Sequence, residues 1–151
     1  MAQEQHDAGI SIVNGVTIRP ATRADLPALA DFIRRFVDSG ELLPRTLDEL
    51  EDLLEHFFVA IDEEEEMVGC ATLEIYSKKL AELRSLAVSP KVQGRGVGKR
   101  LVQVCIDLAR ERNVFEVMAI SAQDDFFIAC GFDYTLPRLR RAFFMQTRDE
   151  L

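Results

Sequence analysis

The sequence predicts one α+β or α/β domain built on a mixed sheet. Three observations lead there. Strand-like β-branched segments and helical apolar repeats follow one another along the chain with no linker, internal repeat or low-complexity tract. A chain of 151 residues, 48% of them apolar, suits a single domain with one substantial core. An apolar segment from Ala81 to Val88 then leads through a proline turn and three alternating glycines, Gly94, Gly96 and Gly98, into an amphipathic helix.

Residues 1–15 carry neither a basic start nor an apolar stretch of signal-peptide type, and are expected to form a flexible N-terminal arm ahead of a domain over 16–151. Val16-Thr17-Ile18-Arg19 alternates as a first strand. Thr22, three residues before Asp25, offers an N-cap, and Leu26, Leu29, Ala30, Ile33 and Val37 keep helical spacing until Gly40. Thr46 with Glu49 repeats the capping pattern for a second helix carrying Leu47, Leu50, Leu53 and Leu54. Phe57–Ile61 and Met67–Tyr76 read as a hairpin whose acidic tip, Asp62 to Glu66, is a solvated turn. After the strand over 81–88 and the glycine turn, a helix buries Val97, Leu101, Val104, Cys105 and Leu108. Val114–Ile120 is expected as a strand, Asp124–Ala129 as a short helix stopped by Gly131, Leu136-Pro137 as a loop, and Ala142–Thr147 as a final strand.

A net charge of −8 argues against a nucleic-acid footprint over the whole surface, and no apolar run approaches bilayer-spanning length. The last four residues are close to an ER-retention signal, but without an entry signal they read as coincidence. A cytoplasmic protein is expected. Cys70, Cys105 and Cys130 are widely spaced, and His6 and His56 complete no ligand set. They read as reduced core thiols in a reducing compartment, with neither a metal nor a cysteine nucleophile expected.

The positive charge that exists is concentrated. Lys91, Arg95, Lys99 and Arg100 surround the glycine turn, and Arg138, Arg140, Arg141 and Arg148 crowd the C-terminus. Glycines at alternate positions leave no Cβ in the way of a ligand, and a helix start presents bare amides at the positive end of its dipole. This is a pyrophosphate cradle; the competing reading is a turn that merely lets helix and strand pack closely. A dinucleotide fingerprint has a different spacing and sits in the first βα turn of its fold, and a Walker loop needs Ser or Thr where Arg100 stands.

Gln93-Gly94-Arg95-Gly96-Val97-Gly98 resembles the acetyl-CoA motif of the GCN5-related N-acetyltransferase (GNAT) superfamily. The preceding Leu86-Ala87-Val88-Ser89-Pro90 and the later Phe126-Phe127-Ile128-Ala129-Cys130-Gly131-Phe132 are also similar to that family. The resemblance runs from about Val16 to Thr147. It implies a mostly antiparallel sheet flanked by helices, with acetyl-CoA as cosubstrate. It further implies that the backbone of Leu86, Ala87 and Val88 pairs with the pantetheine arm. Gln93, Gly94, Arg95, Gly96, Val97, Gly98 and Lys99 would then hold the pyrophosphate, beside a strand splay at Val88. A closer resemblance is to the stand-alone acetyltransferase domain of N-acetylglutamate synthase, carried by Gly40–Leu50, Met67–Ala71 and Ala81–Val88. The C-terminus departs from that group: Arg141-Ala142-Phe143-Phe144-Met145-Gln146 replaces its tyrosine- and asparagine-containing strand.

Acetyl transfer to an amine needs a neutral amine, a fixed attack geometry and a donor for the oxyanion. Glu82 stands where the family usually has a carboxylate, six residues before Val88, and is the expected base, directly or through water. Its competing role is a pair with Arg84 on the same strand face. A backbone amide near Leu86 or Ala87 would serve the oxyanion. The family's usual tyrosine acid is replaced by Phe127, and Tyr76 and Tyr134 match no motif, so the thiolate leaves unassisted or takes its proton from water. Arg45, Arg84 and the Arg138/Arg140/Arg141 group suit carboxylates, or else solvation and pairing with the many glutamates. The expected function is therefore N-acetylation of a small-molecule amine, such as an amino acid like glutamate, with a protein N-terminus or lysine as the next candidate acceptor. Homodimerisation is left open, and neither nucleic acid nor membrane is expected as a partner. A CoA-binding regulatory module without turnover is the alternative, and a dinucleotide binder the third reading.

Overall fold

A computed structural model describes residues 10–134 and 142–147. Its six strands lie in sequence order across one sheet: β1 (Ser11–Val13), β2 (Val16–Pro20), β3 (Phe57–Ile61), β4 (Met67–Ile75), β5 (Leu80–Val88) and β6 (Glu116–Met118). The first five pair antiparallel, and β6 runs parallel to β5. The parallel pair needs a crossover, supplied by helix α3 (Val97–Glu111). Helices α1 (Leu26–Asp38) and α2 (Leu47–Leu53) lie between β2 and β3 in the chain.

Both faces of the central strands are covered. Every residue from Phe57 to Ala60 and from Met67 to Leu73 is buried, without the alternation of a half-solvated sheet. Leu26, Leu29, Phe32 and Ile33 of α1 and Leu50 of α2 pack on Phe57, Val59 and Cys70. The other set of β3 and β4 side chains meets α3. There Gly69 leaves room: a Cβ on it would stand 3.1 Å from Leu101 Cδ1 and from Ala60 Cβ. The Thr46 capping pattern forms as the sequence predicts, the Thr46 hydroxyl accepting from the Glu49 amide. Thr22 instead caps a 3-10 turn over Arg23–Asp25, its amide donating to the Asp25 carboxylate at 2.6 Å, and Asp25 is the N-cap of α1.

The chain divides into a larger unit up to Ile120 and a smaller one over Ser121–Leu151. In the smaller unit, α4 (Asp124–Ala129) ends at Gly131, whose φ of +95° is the left-handed stop expected of it. Phe127 stacks edge-on against Phe126 and Phe132 there.

Three expectations are corrected. The flexible arm over 1–15 does not extend to its end, because Ser11–Val13 pair with Val16–Ile18 across Asn14-Gly15. The strand over Val114–Ile120 shrinks to Glu116–Met118, with Phe115 and Ile120 exposed on either side. Ala142–Thr147 form no strand. Ala142 to Met145 are consecutive apolar residues without alternation, and Phe143, Phe144 and Met145 are exposed. Leu136-Pro137, Arg138, Arg140, Arg141 and Arg148 lie outside the described residues. No helix among the described residues is long and apolar enough to cross a membrane.

Candidate active site

Strand β5 carries two sets of the expected site residues, one at each end. At its start, Ala81, Leu83 and the Glu82 carboxylate are buried, Glu82 being only 9% exposed. Glu82 is the Cα partner of Glu74 on β4. Like charges directly opposite on a sheet repel, so partners of other chemistry are needed between them. Arg84 donates to Glu74 Oε2 at 2.8 Å, while its Nε is 3.9 Å from Glu82 Oε2. The expected Glu82–Arg84 pair is therefore the weaker contact, and Arg84 belongs first to Glu74. Glu82 is held instead by Tyr76, whose hydroxyl donates to Oε1 at 2.6 Å. Burial, then this carboxylate, pushes the Tyr76 phenol well above its ordinary value.

Next to this cluster the ladder breaks. Cys70 pairs with Ala87 but Thr72 with Arg84, so β5 carries one extra residue, a bulge, around Ser85 and Leu86. Ser85 takes a φ of +53°, and its carbonyl accepts from Cys70 Sγ at 3.2 Å. Its hydroxyl accepts from Arg45 Nε at 3.1 Å. This contact brings Arg45 into the cluster across 40 positions of sequence. Burial, then the Arg84 guanidinium, lowers the Arg45 pKa. The two arginines expected to bind a carboxylate thus stand close enough to repel each other.

Beyond Glu82 the outer edge of β5 has no strand partner among the described residues, because β6 pairs only with Leu80, Ala81 and Glu82. The divergence therefore begins ahead of Val88 and covers Leu86 and Ala87. At the end of β5, Ser89 caps a short 3-10 turn over Pro90–Val92. Gly94 and Gly96 have φ of +82° and +81°, angles that any side chain resists, and Gly96 is the N-cap of α3. The amides of Gly94, Gly96, Val97, Gly98 and Lys99 have no acceptor among the described residues, as the first turn of a helix requires. The Arg95 amide instead donates to Val92 O at 3.3 Å.

Side chains here divide unevenly. Val97 is buried and offers only its backbone. Gln93 Nε2 turns back to Val88 O at 3.5 Å. Lys91 is paired with Glu66 of the β3–β4 turn at 2.7 Å, and Arg100 donates to Ser11 Oγ. Of the four expected cations, Arg95 and Lys99 keep side chains without a partner among the described residues.

A groove of about 720 Å³ lies between α1 and α2, lined by Leu26, Ile33, Leu50, Arg23 and Arg34 among others. Arg45 is the one residue it shares with the β5 cluster, so the groove adjoins Glu82's surroundings without containing Glu82.

The sequence reading missed Tyr76 and Glu74 as site residues. Their signal was available: Glu74 lies on β4 as the register partner of Glu82, and Tyr76 follows two positions on, just past the strand's end at Ile75.

The family model of the acetyltransferase (GNAT) family matches residues 25–132. An uncharacterised N-acetyltransferase of Chlorobaculum tepidum is 31% identical over 115 residues, covering 76% of this chain and 74% of that protein. An amino-acid acetyltransferase of Neisseria meningitidis is 33% identical over 132 residues, covering 83% of this chain but 30% of that protein. Among solved structures, the N-acetylglutamate synthase of Neisseria gonorrhoeae, complexed with coenzyme A and N-acetyl-glutamate, aligns with a TM-score of 0.68 at 33% identity. That alignment covers 76% of this chain and 27% of the synthase. The chain therefore spans less than a third of the length of both Neisseria proteins.

Proposed function

The chain belongs to the acetyltransferase (GNAT) family, and from that premise we propose that it moves the acetyl group of acetyl-CoA to the amine of a small carboxylate-bearing acceptor, an amino acid such as glutamate. The observation that carries this reading is the layout of β5. One strand holds a buried carboxylate beside two guanidiniums, leaves its outer edge unpaired, and runs into a turn of unoccupied amides.

The amides of Gly94 and Gly96–Lys99, with the side chains of Arg95 and Lys99, suit a pyrophosphate through hydrogen bonds and the α3 dipole. The free edge at Leu86–Val88 suits an amide-bearing arm laid alongside as an added strand. Glu82 accepts a proton from the acceptor's ammonium, directly or through water, so that the nitrogen attacks as a free amine. An amide near Leu86 or Ala87 stabilises the oxyanion formed as the nitrogen adds to the carbonyl; its collapse breaks the carbon–sulfur bond, and the nitrogen's second proton passes through water to the thiolate. Arg45 and Arg84, two guanidiniums in mutual repulsion, are relieved by an acceptor carboxylate between them. A cytoplasmic site of action accompanies the reading, since acetyl-CoA and free amino acids meet there.

The test is acetyl-CoA-dependent thiol release across a panel of amino acids, amines and peptides, glutamate included. Release should be strongest with amino acids bearing carboxylates. Tight CoA binding with no release for any acceptor would replace the enzyme with a CoA-binding module.

A further inference from the structure

The Tyr76 hydroxyl lies between the two opposed carboxylates, 2.6 Å from Glu82 Oε1 and 3.3 Å from Glu74 Oε2. A phenol has one proton to donate, and the shorter distance assigns it to Glu82. Glu74 has its own donor in Arg84 at 2.8 Å. The result is an ordered row in which each carboxylate has one strong partner, and among the described residues Glu82 Oε2 has none within hydrogen-bond distance, Arg84 Nε being 3.9 Å away.

We propose, on the reading of Glu82 as base given above, that Tyr76 is its positioning residue: the hydroxyl holds Oε1 and so turns Oε2 toward the acceptor nitrogen. The proton then passes from the acceptor's ammonium to Oε2, and from there to solvent, while Tyr76 keeps its own. The carbon–nitrogen bond forms, the carbon–sulfur bond breaks with its electron pair on sulfur, and the second proton the nitrogen must lose passes through water to the thiolate. Tyr76 suits this role because burial and the Glu82 charge keep its phenol protonated. The charged and titratable groups around Glu82 are Glu74 from β4, Tyr76 from just past its end, Arg84 from β5 and Arg45 from the segment before α2. From β6 its register partner is Met118, with Glu116 one pleat away. Of these, Tyr76 alone makes a short contact to Glu82.

A hydrogen bond to the charged form of an acid favours that form. In Tyr76→Phe the bond to Oε1 is gone and that oxygen is free to turn. kcat should fall about fivefold or more, while acceptor KM and acetyl-CoA affinity stay within about twofold. A merely structural tyrosine would move KM and affinity along with kcat. A second measurement needs no turnover. The chain has two tyrosines, so in a Tyr134→Phe background tyrosinate absorbance reports Tyr76 alone. Adding Glu82→Gln should bring that titration down toward the ordinary phenol range. Active wild type with an unchanged kcat in Tyr76→Phe, or a Tyr76 titration indifferent to Glu82→Gln, overturns the positioning role and leaves acetyl transfer standing. Wild type that releases no thiol with any acceptor overturns the parent reading, and the role falls with it.

Discussion

Asn14 donates through Nδ2 to the Arg95 carbonyl at 2.7 Å, joining the β1–β2 turn to the glycine turn across 81 positions of sequence. Asn14 and Gly15 both have positive φ, 45° and 79°, as a two-residue hairpin turn demands. The first hairpin thus acts as a brace behind the proposed pyrophosphate cradle. Asn14→Gly keeps the turn's backbone freedom and deletes only the brace. Loss of one such bond, worth about 1 kcal/mol, should weaken CoA binding by roughly fivefold in a calorimetric titration. An unchanged dissociation constant would make the contact a folding detail without bearing on the cradle.

The three glycines of the turn should respond differently to alanine. Gly94 and Gly96 sit at positive φ, where an L side chain costs roughly 1–2 kcal/mol, so Gly94→Ala and Gly96→Ala should lower the melting temperature by several degrees. Gly98 lies inside the first turn of α3, and Gly98→Ala should leave stability equal or slightly higher. If the amides hold a pyrophosphate at close range, all three should lose CoA affinity, Gly98→Ala without any loss of stability. Gly98→Ala binding CoA as tightly as wild type would mean that no ligand approaches the helix start closely.

Much of this was legible in the chain. The capped helices, the β3–β4 hairpin and the glycine turn rest on local patterns, and local patterns survive folding. The β1 strand was missed although Asn14-Gly15 between alternating apolar residues is a strong short-range hairpin signal. Two kinds of information were not local. Arg45 meets Ser85 only because α2 docks beside the bulge. Tyr76 meets Glu82 only through the β4–β5 register, and an extra residue in β5 decides which side chains share a face.

Glu82→Gln keeps the size and hydrogen-bonding capacity of the side chain while removing its basicity. Turnover should fall at least about tenfold, within the range for a lost general base, with CoA binding intact. Rates equal to wild type at every pH would remove Glu82 from the mechanism and leave it as a structural partner of Tyr76.

Acid stability should trace to Arg19 and Asp25, which join β2 to the start of α1 through two bonds of 2.8 and 2.9 Å. The Arg19 guanidinium, opposed by burial and helped by the Thr22 amide, holds the Asp25 carboxyl at about 2, below its ordinary 3.8. A carboxyl whose folded value is depressed stabilises the fold fully above its unfolded value, and this is lost as pH falls through the folded value. The pair should therefore contribute on the order of 1–2 kcal/mol above about pH 4, allowing for solvent screening, and lose it between about pH 4 and 2. Wild type should show a steeper fall of melting temperature over that window than Asp25→Asn. Parallel curves would mean that other carboxyls dominate acid unfolding.

Arg45 separates acceptor recognition from cofactor binding. Its guanidinium is half-buried, bonded to Ser85 and repelled by Arg84, an arrangement that gains if a carboxylate enters between them. Arg45→Met removes the charge while retaining much of the packing; Arg45→Lys keeps a charge but loses the planar fork. The acceptor KM should rise about tenfold or more in Arg45→Met and less in Arg45→Lys, because a bidentate charge-assisted contact is worth about 1.5–3 kcal/mol. Acetyl-CoA affinity should not change, since Arg45 lies apart from the glycine turn. Stability without ligand should hold or rise slightly as the repulsion with Arg84 disappears. An acceptor KM unmoved in both variants, or one that moves together with CoA affinity, would take Arg45 out of acceptor binding and point to Arg84 alone as the carboxylate's partner.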